Sequence, residues 1–434
     1  MKTKYLSIRE KDNLYLWHAY TQHKTEQAPI PIVKGKKALL WDDKGKKYID
    51  GIASWWVNPF GHTNKQLAKA AYRQLISLEH VLFGGFTHQP AADLAEKLIY
   101  LLPENQQKVF FSDNGSTSVE VAIKMALQFY YNKNEKRNVI IAFEDAFHGD
   151  TFAAMAVSGI SLYTKAFEGQ LLKVVRIPVP TKGREEESAI KLEQAIRAYN
   201  PAAFIFEPLV LGAAGMIMYS PEALDTLISI CYKNNVLTIA DEVMTGFGKT
   251  GKLFACSYLN ENPDIICLSK ALTGGTIPLA ATTTTQEVFN AFYDDDISKA
   301  LFHGHTFMAN PTGCAIALES IKLFQDIKIE RNLQRINKQH LQFAKKMKRH
   351  PKVADIRTLG VIFALDLKVK PDGNYYGTIR NVLYNFFISK GIILRPVYNT
   401  IYILPCYVIT NPQLQEIYNA IEEAISMLEK KGYL

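Results

Sequence analysis

Cysteine is scarce in this chain, and none of it is clustered. The five residues (Cys231, Cys256, Cys267, Cys314, Cys406) are odd in number and never stand in a CxxC pair. That spacing argues against a disulfide framework or a zinc site and favours a reducing, cytoplasmic compartment. Long apolar runs are missing too: none approaches the roughly 18 residues of a membrane span. The start of the chain, MKTKYLSIREKDNLYLWHAY, has no apolar h-region, so no signal peptide is expected. Charge of one sign is not in large excess: 50 basic residues against 42 acidic ones leave +8 over 434 residues. Such a balance suits an anionic small ligand and does not call for nucleic acid. No internal repeat or low-complexity linker is visible.

What is present is ordinary globular composition, 48% apolar and 21% charged, which excludes disorder and fibrous repeats. At about 150 residues per domain the length predicts two or three domains. Between Ile32 and Ile52 the text reads as short strands, with an Asp43-Lys44-Gly45 hairpin turn and lysines on a solvated face. From about Gly61 to Leu318 it alternates between apolar strands and helices. Strands are predicted at 109–112, 138–145, 202–208, 236–242 and 264–270, and helices at 118–131 and 221–235. Apolar strands bounded by amphipathic helices imply a mostly parallel sheet covered on both faces. After Asn310-Pro311 a long helical stretch leads into a smaller α+β unit, which the N-terminal hairpin is expected to join.

Residues 246–252, GFGKTGK, imitate a nucleotide-binding loop. A P-loop needs Ser or Thr after its lysine and follows its strand directly; here Leu253 follows the lysine, and Asp241-Glu242-Val243-Met244-Thr245 intervenes after the strand. A plain loop is expected, with nucleotide binding as the rival reading from another class.

Two strand-end charges say more. Asp241 closes VLTIADE and Lys270 closes DIICLSK. Carboxyl ends of strands border the ligand crevice of an open α/β sheet. There a lysine can form a Schiff base with pyridoxal phosphate while an acid pairs with its pyridine nitrogen. The same two residues would also serve as an ordinary ion pair at a sheet edge. Asn114-Gly115-Ser116 stand where a strand gives way to a helix, a place that binds phosphate and that equally describes a plain N-cap. Phe147 and Asp150 follow another strand, and Glu207 ends a third. His303 and His305 are spaced two apart without a third ligand, so no metal is expected. Arg395 has the fork to clamp a substrate carboxylate, or is a surface arginine before Pro396.

Taken together, NGSTSVEVAIKMAL, FHGDTFAAMAVSG, EPLVLGAAGM, IADEVMTGFGKTGKLFA, LSKALTGGTIPLAATTTT and HGHTFMANP resemble the class III aminotransferases of the fold-type-I pyridoxal-phosphate superfamily, in order and over nearly the whole chain. The resemblance implies an α/β fold with a large cofactor-binding domain at 61–318 and a small α+β domain built from 1–60 and 319–434. It implies pyridoxal 5'-phosphate as cofactor, Lys270 as Schiff-base lysine and Asp241 as partner of the pyridine nitrogen. Gly115, Ser116 and Thr306 become phosphate ligands, Thr306 from the neighbouring subunit of a homodimer with its active site at the interface, and Phe147 stacks on the ring. WHAYTQ, DGIASWWVNPFGH and EHVLFGGFTHQPA are similar to the members of this family that aminate 8-amino-7-oxononanoate in biotin synthesis, with S-adenosylmethionine or in some relatives lysine as donor. Other ω-aminotransferases are the alternative within the family. By that likeness Tyr20, Trp55, His305, Arg395 and Tyr402, with Phe147 and Lys270, meet the substrate. Ala19, Phe147, Lys249, His305 and Leu211 depart from the usual residues; Lys249 keeps a charge but not a bidentate fork. Lys270, Lys249 and Arg395 are expected to face the cofactor aldehyde and the anionic groups of the substrate.

Overall fold

The computed structural model of the chain describes residues 5–159, 161–369 and 378–434. Its strands, in chain order, are β1 (Ile32–Lys36), β2 (Leu39–Asp42), β3 (Lys47–Asp50), β4 (Gln106–Ser112), β5 (Ile140–Phe143), β6 (Val174–Ile177), β7 (Ala203–Phe206), β8 (Val210–Leu211), β9 (Ile217–Met218), β10 (Leu237–Asp241), β11 (Ile265–Leu268), β12 (Ala280–Thr285), β13 (Val353–Leu359), β14 (Ile362–Leu367), β15 (Ile392–Ile393) and β16 (Thr400–Ile403).

Seven of them form the central sheet in the order β4-β12-β11-β10-β7-β5-β6. The runs IIAF, AFIF and IICL are buried at every position, as strands covered by helices on both faces must be. The helix Pro221–Lys233 buries Leu224, Leu227, Ile228 and Cys231, one stripe at helical spacing. Six strands run the same way and β12 alone is reversed, antiparallel to both β11 and β4. β6 and β12 were not among the predicted strands. β12 is an Ala-Thr run with little hydrophobic signal, although it is buried over most of its length.

Both ends of the chain share one further sheet, β1-β2-β3-β15, in which Ile49 and Asp50 of β3 pair with Ile392 and Ile393 in parallel. Its hairpin lysines, Lys34, Lys36, Lys44, Lys46 and Lys47, are exposed. β13, β14 and β16 form an antiparallel sheet beside it. The stretch after Pro311 is not one helix but two, Pro311–Phe324 and Ile327–Met347. Asp326 breaks it by accepting from the Lys328 amide, a local bond that competes with helix continuation. The five cysteines are buried free thiols. Among the described residues no helix is long and apolar enough to cross a membrane.

Candidate active site

Because β4, β5, β7, β10 and β11 are parallel, their carboxyl ends open on one side of the sheet, and each delivers a polar group there. Asp241 is the last residue of β10 and is buried. Its Oδ1 accepts from the Val243 amide at 3.0 Å and its Oδ2 meets His148 Nδ1 at 2.8 Å. Lys270 comes two residues after β11 and opens a short 3-10 turn with a left-handed backbone, φ 48°. Burial pulls its ammonium below the ordinary lysine pKa, and the carboxylates of Asp241 and Glu207 oppose that shift. Glu207, just past β7 and 3% exposed, accepts from the Phe147 amide at 3.1 Å and the Gly212 amide at 2.9 Å. Burial pushes it up to about 7. It braces two loops of the crevice.

These groups line two chambers that share Trp56, Val57, Ser116, Phe147, Gly149 and Lys270. The inner one, about 530 Å³, holds Asp241, His148, Glu207 and the start of the helix Gly115–Asn132. The outer one, about 400 Å³, is walled by Tyr20, Trp55, Tyr163 and Tyr402 and carries Arg395 and Arg380. Lys270 stands in both.

The inner chamber fits the cofactor that the resemblance implies. The helix Gly115–Asn132, capped by Asn114, opens into it, and the positive end of a helix favours a phosphate. Backbone approaches closely here: a Cβ on Gly149, at φ 132°, would lie 2.2 Å from Ser116 Oγ. His148 Nε2 and Trp56 Nε1 are buried in the chamber's wall without a hydrogen-bond partner. Ser116 Oγ accepts from the Asp150 amide at 3.1 Å, which ties the helix start to the loop after β5.

In the outer chamber four successive residues, Ala53 to Trp56, are left-handed, with φ of 46°, 47°, 69° and 71°. For non-glycine residues this costs roughly 1–2 kcal/mol each and persists only where the surroundings enforce it. The turn sends two rings to two cations. Trp56 lies 4.7 Å from Lys270 Nζ, and Trp55 lies 4.6 Å from the Arg395 guanidinium carbon. Tyr20 packs on Trp55 and Tyr163 at 5.6 and 5.3 Å and donates its hydroxyl to Asp150. Tyr402 is fully buried behind Trp56, 6.1 Å between rings.

The structure thus brings together Lys270, Asp241, Gly115, Ser116, Phe147, Tyr20, Trp55, Arg395 and Tyr402 around the two chambers. Thr306 and His305 line neither chamber of their own chain; Thr306 is exposed and His305 Nδ1 sits 3.4 Å from Asp113 Oδ2. His303 contacts Lys124 Nζ. Lys249 corrects the expectation for the cations. It is 1% exposed and lines neither chamber, and its Nζ donates to the Gly246 carbonyl at 3.3 Å. The loop is folded back on itself and under β14, since the Gly248 amide donates to Leu253 and the Val361 amide to Lys249. Burial, reinforced by Lys270, lowers Lys249 to about 7.

Sequence reasoning passed over Arg380, a second guanidinium in the outer chamber, 7% exposed. It lies on the helix Thr378–Ser389 far from every motif, with no local signal to find it. Tyr163 and the His148–Asp241 contact were missed as well. The latter was within reach, because His148 follows Phe147 past the end of β5, which lies beside β7 and one strand from β10.

The family Aminotransferase class-III matches residues 20–425. The adenosylmethionine-8-amino-7-oxononanoate aminotransferase of Synechococcus elongatus is 43% identical over 95% of this chain and 98% of its own. The Staphylococcus aureus protein of the same name is 37% identical over 98% of each. Among solved structures, the adenosylmethionine-8-amino-7-oxononanoate aminotransferase of Methanocaldococcus jannaschii superposes with a TM-score of 0.90 at 35% identity, covering 96% of this chain and 98% of that one. The ω-transaminase of Pseudomonas jessenii, in complex with PMP, superposes with a TM-score of 0.92 at 29% identity, covering 98% and 99%. A family match across nearly the whole chain, on a sheet whose strand ends present Lys270 and Asp241 to one crevice, has one reading: the chain belongs to the class III aminotransferases, and its cofactor is pyridoxal 5'-phosphate.

Proposed function

We propose that this aminotransferase converts 8-amino-7-oxononanoate to 7,8-diaminononanoate in biotin synthesis, with S-adenosylmethionine as amino donor, the reaction its relatives are named for. One observation carries the choice of acceptor. From Lys270 outward the second chamber is aromatic, and it carries guanidinium groups, as a long apolar chain ending in a carboxylate requires.

Bound pyridoxal phosphate supplies a carbonyl that takes up amines and a ring that makes the adjacent C–H bond acidic. The chain's own residues do the rest. Gly115, Ser116 and the helix start hold the phosphate, with Thr306 reaching in from a second copy of the chain. Phe147 packs on the ring. Asp241, fixed by His148 and Val243, keeps a proton on the pyridine nitrogen. Lys270 would hold the cofactor through Nζ, and its lowered pKa favours the neutral amine, which would take the proton from the substrate carbon and return it. Tyr20, Trp55, His305 and Tyr402 shape the substrate site, and Arg395 takes the carboxylate. The working unit is a homodimer in the cytoplasm. Residues 61–318 form its cofactor-binding domain, and residues 1–60 and 319–434 form the small domain.

Holoenzyme is mixed with S-adenosylmethionine and, separately, lysine, and loss of the visible cofactor band is followed before 8-amino-7-oxononanoate is added. Discharge by S-adenosylmethionine and then formation of 7,8-diaminononanoate is expected. Discharge by lysine alone reassigns the donor, and no product from either donor overturns the acceptor. Lys270→Ala is expected to lose the covalently bound cofactor's band and turnover together; a variant turning over near the wild-type rate would remove Lys270 from its role.

A further inference from the structure

We infer that Asp50 is a positioning residue of this active site, acting through the two tryptophans that follow it. Asp50 ends β3, is 1% exposed and lines neither chamber. Its carboxylate nonetheless collects four donors. Oδ1 accepts from the amides of Ser54 at 3.0 Å and Ile52 at 3.3 Å; Oδ2 accepts from Ser54 Oγ at 2.7 Å and from His62 Nε2 at 3.0 Å. His62 Nδ1 meets the Asn58 amide nitrogen at 3.1 Å, so the ring links Asp50 to Asn58 beyond the turn.

Two of the four bonds go to Ser54 inside the segment that turns left-handed, and a third goes to Ile52 just before it. The Trp56 and Val57 amides close the turn on the Ile52 and Ala53 carbonyls, and against the strain of four positive φ values the buried carboxylate that accepts the amides of residues 52 and 54 fixes the chain as it enters that conformation. The consequence falls on the rings. Trp56 covers the Lys270 side chain, and Trp55 covers the Arg395 guanidinium. The same strand end also sets the second cation: Asp50 is paired with Ile393, and the Gly51 amide donates to the Ile393 carbonyl at 3.1 Å, two residues before Arg395. One strand end therefore places the lysine's cover and the carboxylate clamp relative to each other, and its carboxylate anchors the tryptophan side of that pair. This rests on the proposed role of Lys270 but not on the identity of the acceptor.

The test is a double-mutant cycle on cofactor-loaded protein with Asp50→Asn, Trp56→Phe and the pair. Asp50→Asn is expected to retain cofactor, to alter the visible circular dichroism of the bound cofactor, to lower kcat about tenfold and to raise KM for the acceptor several-fold. In the double variant the loss is expected to fall well short of the product of the two single losses, because Asp50 acts through the ring. A structural role alone would lower the unfolding temperature while leaving kcat, KM and the dichroism of the loaded protein unchanged. That result, or losses that multiply in the pair, would overturn the inference. Should Asp50→Asn not fold, Ser54→Ala decides by the same criteria with a two- to fivefold effect on kcat, since it removes one hydroxyl from the network. If wild-type protein does not aminate 8-amino-7-oxononanoate, the functional reading fails on its own, and the cycle is read on discharge of the cofactor band by the donor.

Discussion

Arg395 shows what a single side chain is asked to do here. Its guanidinium lies over the face of Trp55, which leaves the edge of the fork for a carboxylate and restricts where that carboxylate can sit. A charge-assisted pair of this kind contributes about 1.5–3 kcal/mol, so Arg395→Ala is expected to raise KM for the acceptor by roughly 10- to 100-fold. The value of kcat should change far less, because the contact is made with bound substrate and transition state alike. Arg395→Lys keeps the charge without the fork and should fall between the two, with steady-state kinetics on varied acceptor as the measure. Arg395 and Lys270 were legible in the sequence because chemistry needs those residue types near strand ends. Arg380 was not, for a guanidinium on the first turn of a helix looks like any surface arginine until the fold turns it inward. Lys249 failed in the opposite direction. A lysine in a glycine-rich loop reads as a ligand group, yet the loop closes over it and leaves it with a carbonyl as its hydrogen-bond acceptor.

At the scale of elements, apolar runs made β5, β7, β10 and β11 readable, and together with β4 those are the strands whose ends build the inner chamber. β12 escaped because Ala and Thr carry little hydrophobic signal, and the turn at Ala53–Trp56 escaped because no propensity predicts four left-handed residues in a row. Contacts between elements are likewise invisible in one dimension. His340, on the helix Ile327–Met347, meets the Tyr418 hydroxyl at 2.7 Å and the Val361 carbonyl at 3.1 Å, joining that helix to the helix Asn411–Lys430 and to the edge of β14. A carbonyl only accepts, so Nε2 carries the proton and Nδ1 accepts from the tyrosine. Burial lowers His340 to about 3. Between pH 6.5 and 3 the unfolded chain then binds one more proton at this residue than the native one, so its contribution is present above 6.5 and is lost as pH falls. From pH 7 to pH 5 the loss amounts to about 2 kcal/mol. His340→Gln offers the same donor and acceptor without titrating. Its unfolding temperature is expected to drop less than that of wild type over this interval, and equal drops would refute the assignment.

For the whole molecule, the chain's two ends meeting in one sheet explains why a cut by length misplaces its parts: β3 and β15 are more than 300 positions apart yet share a register. The crevice is open in a second sense. Thr306, which the family pattern puts on the phosphate, is exposed and lines neither chamber of its own chain, while the helix start that would share that phosphate is in the inner one. A site completed by a second copy accounts for both facts, and complementation can show it. On that reading Lys270→Ala removes the proposed cofactor lysine and Thr306→Asp sets a carboxylate against the phosphate, so each homodimer should be inactive. In a mixed dimer one site collects both lesions and the other receives the intact Lys270 of one copy and the intact Thr306 of the other. Random pairing at equal expression makes half of all dimers mixed, so about a quarter of wild-type activity is expected from the co-expressed pair. If Thr306 served its own chain's site, every site in the mixed dimer would carry one lesion. The co-expressed pair would then be as inactive as either variant alone.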